Sequence, residues 1–312
     1  MLDTTNHGRH GTWKTALIAA FTLAAALGET PTPPRAAPVS LYLNVEKSGG
    51  LVTGLTQGNF RLYLDGKAQP FRLERPEEPA SIALLVEYSG SSRYFLEDLN
   101  ASMQGFLRHA AEGPWYALAT FSRELEVHTD FTKETGQITA AWAAVGTPFR
   151  NEINTYDAVY DMLDKMGRLP GRRILIVIGC GVDSFSEHTM DEVRKKAESE
   201  NVTIFAAGLG SLFRGSYEPY LSSSARMSFA QARAFLQMLA EKTGGFAWFP
   251  NLAPAYPDVM EGIMQSIATQ YRLVYDPPVR SAGKLQKIKV EAFRIVDDKR
   301  ENFQVLVREG WR

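Results

Sequence analysis

Between Ala80 and Gln270 the chain alternates runs of unbroken apolar residues with stretches whose apolar positions recur every three to four residues, and this alternation limits the possible folds more than any other feature. "SIALLVEY" (81–88), "RRILIVIGC" (172–180) and "VTIFAAGLG" (202–210) are apolar on both faces. Strands read this way when helices cover both sides of their sheet. Between them, "YFLEDLNASMQGFLRHAA" places Phe95, Leu99, Met103, Phe106 and Leu107 on one helical face. Further helices are predicted around "ITAAWAAV", across "TYDAVYDMLDKM", over 189–200, and at "FAQARAFLQMLAEKTGG" and "YPDVMEGIMQSIATQ". "WYALATFS" reads as a strand with "ELEVHTDF" as its hairpin partner. The pattern predicts an α/β unit over 79–269 with a mostly parallel sheet covered on both faces.

The flanks have a different texture. In 39–78, Val39, Leu41, Leu43 and Val45 alternate with Ser40, Tyr42, Asn44 and Glu46, and Asp65-Gly66 is a hairpin signal because both turn positions need positive φ. In 270–312, "QYRLVYDP", "LQKIKVEAF" and "FQVLVREGW" return to period-two alternation. Three such strands are not stable without a partner layer. The tail is therefore expected to pack on the head strands as one all-β sandwich, with the α/β unit inserted between its halves.

Residues 1–28 carry Arg9 and Lys14, an apolar run from Thr15 to Leu27, and a small-x-small end at Ala26-Leu27-Gly28, the layout of a secretory signal peptide. An N-terminal anchor is the alternative, although the run is shorter than the roughly 20 residues of a spanning helix. Residues 29–38 are a proline-rich linker. Export to the periplasm, the cell surface or the medium is expected, with no membrane-spanning segment beyond the leader. Lys and Arg total 34 against 35 Asp and Glu, without a basic stretch among aromatics, which argues against nucleic acid as a partner. Cys180 is the single cysteine, so the chain holds no internal disulfide.

"SIALLVEYSGSSRYFLEDL", "YALATFSRELEVHTDFT", "INTYDAVYDML" and "RRILIVIGCGVDSFSEHT", in this order, resemble a von Willebrand factor type A domain. The flanks are similar to those of the exported bacterial family of VWFA-related domain proteins of acidobacteria. The resemblance implies a doubly wound, Rossmann-like α/β fold with a metal-ion-dependent adhesion site at the C-terminal ends of the strands. Carried over by position, Glu87 takes the first Asp place of the Asp-x-Ser-x-Ser loop. Ser89 and Ser91 take the two serines, Thr155 the threonine, and Cys180 the place of the later aspartate.

Both departures fall on carboxylates. Mg²⁺ and Mn²⁺ are hard cations that need oxygen ligands with negative charge, and Mg²⁺ holds them in a tight octahedron at about 2.0–2.1 Å. Glu87 is one methylene too long and Cys180 is soft and ordinarily protonated. Asp183 could swing in from the next loop. The residues favour a degenerate site with no cofactor, in which Ser91 or Ser92 caps the helix beginning near Tyr94. "GVDSFSEHT" reads as a solvated loop. The aromatic and Arg-bearing loop 210–229, with Phe213, Arg214, Tyr217 and Tyr220, is a candidate surface for a protein partner. The expected function is non-enzymatic protein binding. The alternatives are a hydrolase using Ser89 or Cys180, although none of His7, His10, His109, His128 or His188 is placed by the sequence near Ser89, and a structural envelope component.

Overall fold

The computed structural model describes residues 37–77, 79–148, 150–211, 215, 220–278 and 284–312. The leader, most of the proline-rich linker, and Phe213, Arg214 and Tyr217 lie outside the described residues.

The head of the chain forms β1 (Val39–Lys47), β2 (Gly50–Leu51), β3 (Phe60–Leu64), β4 (Lys67–Gln69) and β5 (Arg72–Glu74). The predicted hairpin joins β3 to β4, with Asp65 at φ 49° and Gly66 at φ 80°. The α/β unit follows as β6 (Ser81–Glu87), α1 (Leu96–His109), β7 (Trp115–Phe121), β8 (Leu125–Thr132), α2 (Thr135–Ala144) and α3 (Thr155–Gly167). It continues with β9 (Arg173–Gly179), α4 (Met190–Ser199), β10 (Val202–Gly208), α5 (Ser223–Thr243), β11 (Ala247–Trp248) and α6 (Tyr256–Ala268). The tail adds β12 (Tyr271–Tyr275), β13 (Gln286–Val296), β14 (Lys299–Val307) and β15 (Gly310–Trp311).

Among the described residues the strands form two sheets. The six-stranded sheet has the order β11-β10-β9-β6-β7-β8, parallel except for the edge strand β8. Counted from β6, this is the order 3-2-1-4-5-6 of a doubly wound sheet, the fold the type A resemblance implies, and its winding reverses between β6 and β9. Ile82, Leu84 and Val86 face a core shared with α1, α2 and α6, while Ala83 and Leu85 face one shared with α3, α4 and α5. Burial on both faces accounts for the unbroken apolar runs. Each fully buried Ile, Leu or Val contributes about 1.5–3 kcal/mol. Helix α5 stops at Gly244, whose φ of 85° suits a residue without a side chain.

The head and tail strands make one nine-stranded antiparallel sheet, with the path β4-β3-β13-β14-β1-β12-β5. Three strands separate β3 from β12 along that path, yet the Phe60 and Tyr271 rings meet edge-on at 5.1 Å. The sheet therefore curls over, and its halves enclose Leu41, Leu43, Phe60, Leu62, Leu273 and Val290 in the manner of a sandwich. Expected as two packed sheets, this layer is continuous. The β13–β14 hairpin turns at Asp297-Asp298, both at positive φ without a glycine.

Two buried arginines fasten this sheet to the α/β unit. Arg172 donates to Gln270 Oε1 from Nε at 3.1 Å and from a terminal nitrogen at 2.7 Å, and also reaches the Ile267 carbonyl at the end of α6. Arg308, between β14 and β15, donates to the carbonyls of Glu198 at 2.9 Å, Glu200 at 3.0 Å and Ala197 at 3.3 Å. These carbonyls at the end of α4 have no partner within the helix, so a guanidinium is a suitable cap in both charge and geometry.

Candidate functional site

The winding reverses between β6 and β9, and the carboxyl ends of the strands at such a point are where doubly wound folds bind ligands. Glu87 is the last residue of β6, and its Oε2 accepts the Cys180 amide at 2.7 Å. Gly179 makes room for this: a Cβ there would lie 3.0 Å from both Cβ and Oε2 of Glu87. The extra methylene of Glu87 thus carries its carboxylate across to the neighbouring strand. Ser89 Oγ donates to Glu87 Oε1 at a long 3.4 Å, and Ser92 Oγ donates to the Glu87 carbonyl at 3.3 Å. The Ser89 amide donates to Ser92 Oγ at 3.0 Å. The N-cap is therefore Ser89, which starts a 3-10 turn over Gly90–Phe95, rather than Ser91 or Ser92. α1 proper begins only at Leu96. Ser91 is half-buried and makes none of these bonds.

The third segment arrives from α3. Thr155 is fully buried and its hydroxyl donates to the Val182 carbonyl at 2.5 Å, while the Gly90 amide donates to the Arg150 carbonyl at 2.5 Å. Glu87–Ser92, Thr155 and Cys180–Asp183 thus converge on one corner. Asp183 turns elsewhere: its Oδ1 accepts the Tyr156 amide at 3.0 Å and the Ser186 hydroxyl at 2.6 Å. It caps the positive end of α3, where Asn154 occupies the N-cap without a side-chain bond of its own.

The corner is dry and short of charge. Glu87 and Ser89 are both fully buried. Burial pushes the Glu87 carboxyl above its ordinary value, against the hydrogen bonds from Cys180 and Ser89 that lower it. Burial, and then the neighbouring Glu87, push the Cys180 thiol well above its usual value. A hard cation needs several free oxygen donors with net negative charge. Here one carboxylate is already engaged with an amide and burial holds the thiol at the place of the second in its protonated form. Among the described residues no group of three or more His, Cys, Asp or Glu is arranged to hold a metal ion. As placed, these residues offer less negative charge than Mg²⁺ or Mn²⁺ calls for.

Nor do they form a nucleophile–base pair. Ser89 faces a carboxylate, and the described histidines are engaged elsewhere: His109 Nδ1 with the Gly105 carbonyl, His128 with Thr120, His188 with Asp157.

The loop after β9, expected to be solvated, is pinned to α3. Asp157 Oδ1 pairs with His188 Nδ1 at 2.7 Å and accepts the His188 amide at 2.9 Å, and its Oδ2 accepts the Glu187 amide at 2.9 Å. The His188 ring stacks on Tyr160 at 3.8 Å. Sequence reasoning missed Asp157 and Tyr160, because nothing local signals a pairing across 31 residues. Phe185, within this pinned loop, stands 74% exposed. Of the predicted partner-binding residues, Tyr220 is described and is 84% exposed; Phe213, Arg214 and Tyr217 lie outside the described residues.

No protein-family model and no curated protein matches the chain. Among solved structures it is similar to a von Willebrand factor type A protein from Catenulispora acidiphila, at 10% identity over 89% of this chain and 74% of that one, with a TM-score of 0.47. It is also similar to the vWF domain of the type V pili tip protein Mfa5 from Porphyromonas gingivalis, at 14% identity over 63% of this chain and 98% of that one, TM-score 0.45. A third likeness is to BatB from Bacteroides thetaiotaomicron, at 13% identity over 61% and 98%, TM-score 0.45. These likenesses concern fold alone.

Proposed function

We propose that this protein is an exported, non-enzymatic binding module that engages another protein through the C-terminal edge of its doubly wound sheet, without a metal ion. One observation carries the reading. Tyr94, Phe185, Tyr220, Met227 and Leu252 are all more than half exposed, and they sit on the segments leaving β6, β9, β10 and β11. Large apolar side chains gathered at one edge are costly in water and suit a protein interface. The engagement of the Glu87 carboxylate with an amide and the protonated Cys180 support independence from metal. Export rests on the sequence of residues 1–28. Among the described residues no helix is long and apolar enough to cross a membrane.

Photo-crosslinking amino acids at Phe185, Tyr220 and Leu252, in cells producing the protein, test the reading. Crosslinks to another polypeptide are expected from these positions and not from Arg168 at the opposite edge, with or without chelator. Equal crosslinking from Arg168, or loss of the crosslinks on chelation, would refute it.

A further inference from the structure

Part of the curled sheet's outer face is open to solvent. Along β13, Ile288, Val290 and Ala292 face the core inside the curl, while Lys287, Lys289 and Glu291 point outward. The register sets Tyr63 opposite Lys289, Arg61 opposite Glu291 and Arg300 opposite Ile295. Contacts join these side chains into one surface: Lys289 Nζ lies 5.7 Å from the Tyr63 ring centre, and the Arg61 and Arg300 guanidinium carbons lie 5.2 and 4.0 Å from that of Phe293. Four cations, Arg61, Lys287, Lys289 and Arg300, share it with one acid, Glu291, which pairs with Lys289 at 2.8 Å and Arg300 at 3.0 Å. Arg61 and Lys287 have no carboxylate partner among the described residues. Asp65, which accepts the Lys287 amide, and Lys67 offset each other at the adjoining turn. In a chain with nearly equal numbers of acids and bases, positive charge is thus concentrated on this face.

A separate observation places apolar surface at the end of the same row. From Phe293 to Val296, β13 pairs with β14 alone, because β3 reaches no further than opposite Ala292. On this projecting hairpin Ile295 and Val296 are 57% and 48% exposed. Phe293 itself is buried beneath the two guanidiniums, whose planar forks suit carboxylates.

An extended chain lying on this face sets every second side chain against it, about 6.8 Å apart, the interval that separates Lys287 from Lys289. We infer that the face docks an extended acidic segment of a protein partner, with alternating carboxylates along the lysines and arginines and apolar side chains following at Ile295 and Val296. A bare polyanion has nothing apolar to cover the hairpin tip. An anionic bilayer is a poor match for a different reason: the Asp297-Asp298 carboxylates at the turn would meet its headgroups. The surface belongs to the β layer and does not depend on the α/β edge proposed above.

The test uses a fluorescent peptide of repeating Ser-Glu ending in Val-Ile, with its Ser-Gln counterpart as the neutral control, read by anisotropy against the full chain. The glutamate peptide is expected to bind at least about tenfold more tightly than the glutamine peptide, and the K287Q/K289Q variant to lose roughly tenfold of that affinity. K287R/K289R should retain it, and I295S should weaken it. R108Q, at an exposed arginine of α1, and Y220S/L252S, at the α/β edge, should leave it unchanged. All these side chains are exposed or partly so, and an unchanged melting temperature verifies that each variant folds. Equal affinity for the two peptides, or unchanged binding by K287Q/K289Q, would overturn the inference. Pelleting with phosphatidylglycerol vesicles that K287Q/K289Q abolishes, in place of a preference between the peptides, would assign the face to a bilayer and overturn it as well.

Discussion

The Glu87 carboxylate accepts the Cys180 amide at 2.7 Å across the reversal point of the sheet, and this bond decides what the corner can do. Because burial raises the carboxyl's pKa in the folded protein, the native state keeps a proton that the unfolded chain releases between the ordinary value and the raised one. The stability from this group is complete below the ordinary value and declines as pH rises through that interval. Glutamine retains an acceptor for the amide without the charge. E87Q is expected to melt close to wild type near about pH 4 and higher by roughly 2–4 °C near about pH 8, the shift for ~1 kcal/mol in a domain of this size. A constant difference across that range, by calorimetry, contradicts the assignment.

Cys180 is half-buried, so access alone does not silence it, but burial and the Glu87 charge keep it a thiol. Alkylation by iodoacetamide near about pH 8 is expected to run at least about tenfold slower than for an exposed free thiol. E87Q should accelerate it. A rate equal to that of a small-molecule thiol would restore Cys180 as a candidate nucleophile.

A ligand that prefers the folded state raises the melting midpoint by mass action, by about 2.7 kcal/mol at a hundred times its Kd. Millimolar Mg²⁺ or Mn²⁺ is expected to leave the midpoint within about 1 °C of its value in chelator. A concentration-dependent rise that E87A abolishes would mean that the corner opens and binds the ion after all.

Truncating Arg308 strands the last carbonyls of α4 and empties the space beside Trp311, whose ring centre lies 3.3 Å from the guanidinium carbon. R308A is expected to lose about 2–4 kcal/mol in urea unfolding. R308K should recover only part of this, since an ammonium lacks the fork that reaches three carbonyls. Full recovery by lysine would show that charge alone matters.

The convergence of Glu87, Ser89, Thr155 and Cys180 on one rim was legible because strand ends and their following loops follow directly from the apolar runs. The Asp65-Gly66 turn was legible from local φ requirements. Other features depend on partners remote in sequence. Nothing local to Asp183 signals its acceptor role at the Tyr156 amide, which belongs to another element. The cap falls at Ser89, two or three positions ahead of Ser91 and Ser92, because a 3-10 turn precedes α1. The Asp297-Asp298 turn lacked the glycine that marks such turns.

Arg172 ties both ends of the inserted unit together: its carbonyl accepts the Ser81 amide at 2.8 Å where the chain enters, and its guanidinium grips Gln270 where the chain leaves. Head and tail strands that meet after a separation of 232 residues, as Ser40 and Arg272 do, face a long ring closure from the unfolded chain. Once the insert has formed, that ring is already closed to within a few residues. The curled sheet should therefore assemble last, and pulsed hydrogen exchange should find β9 and β10 amides shielded before those of β1 and β12. Simultaneous protection of all four would mean that the two layers form in a single cooperative step.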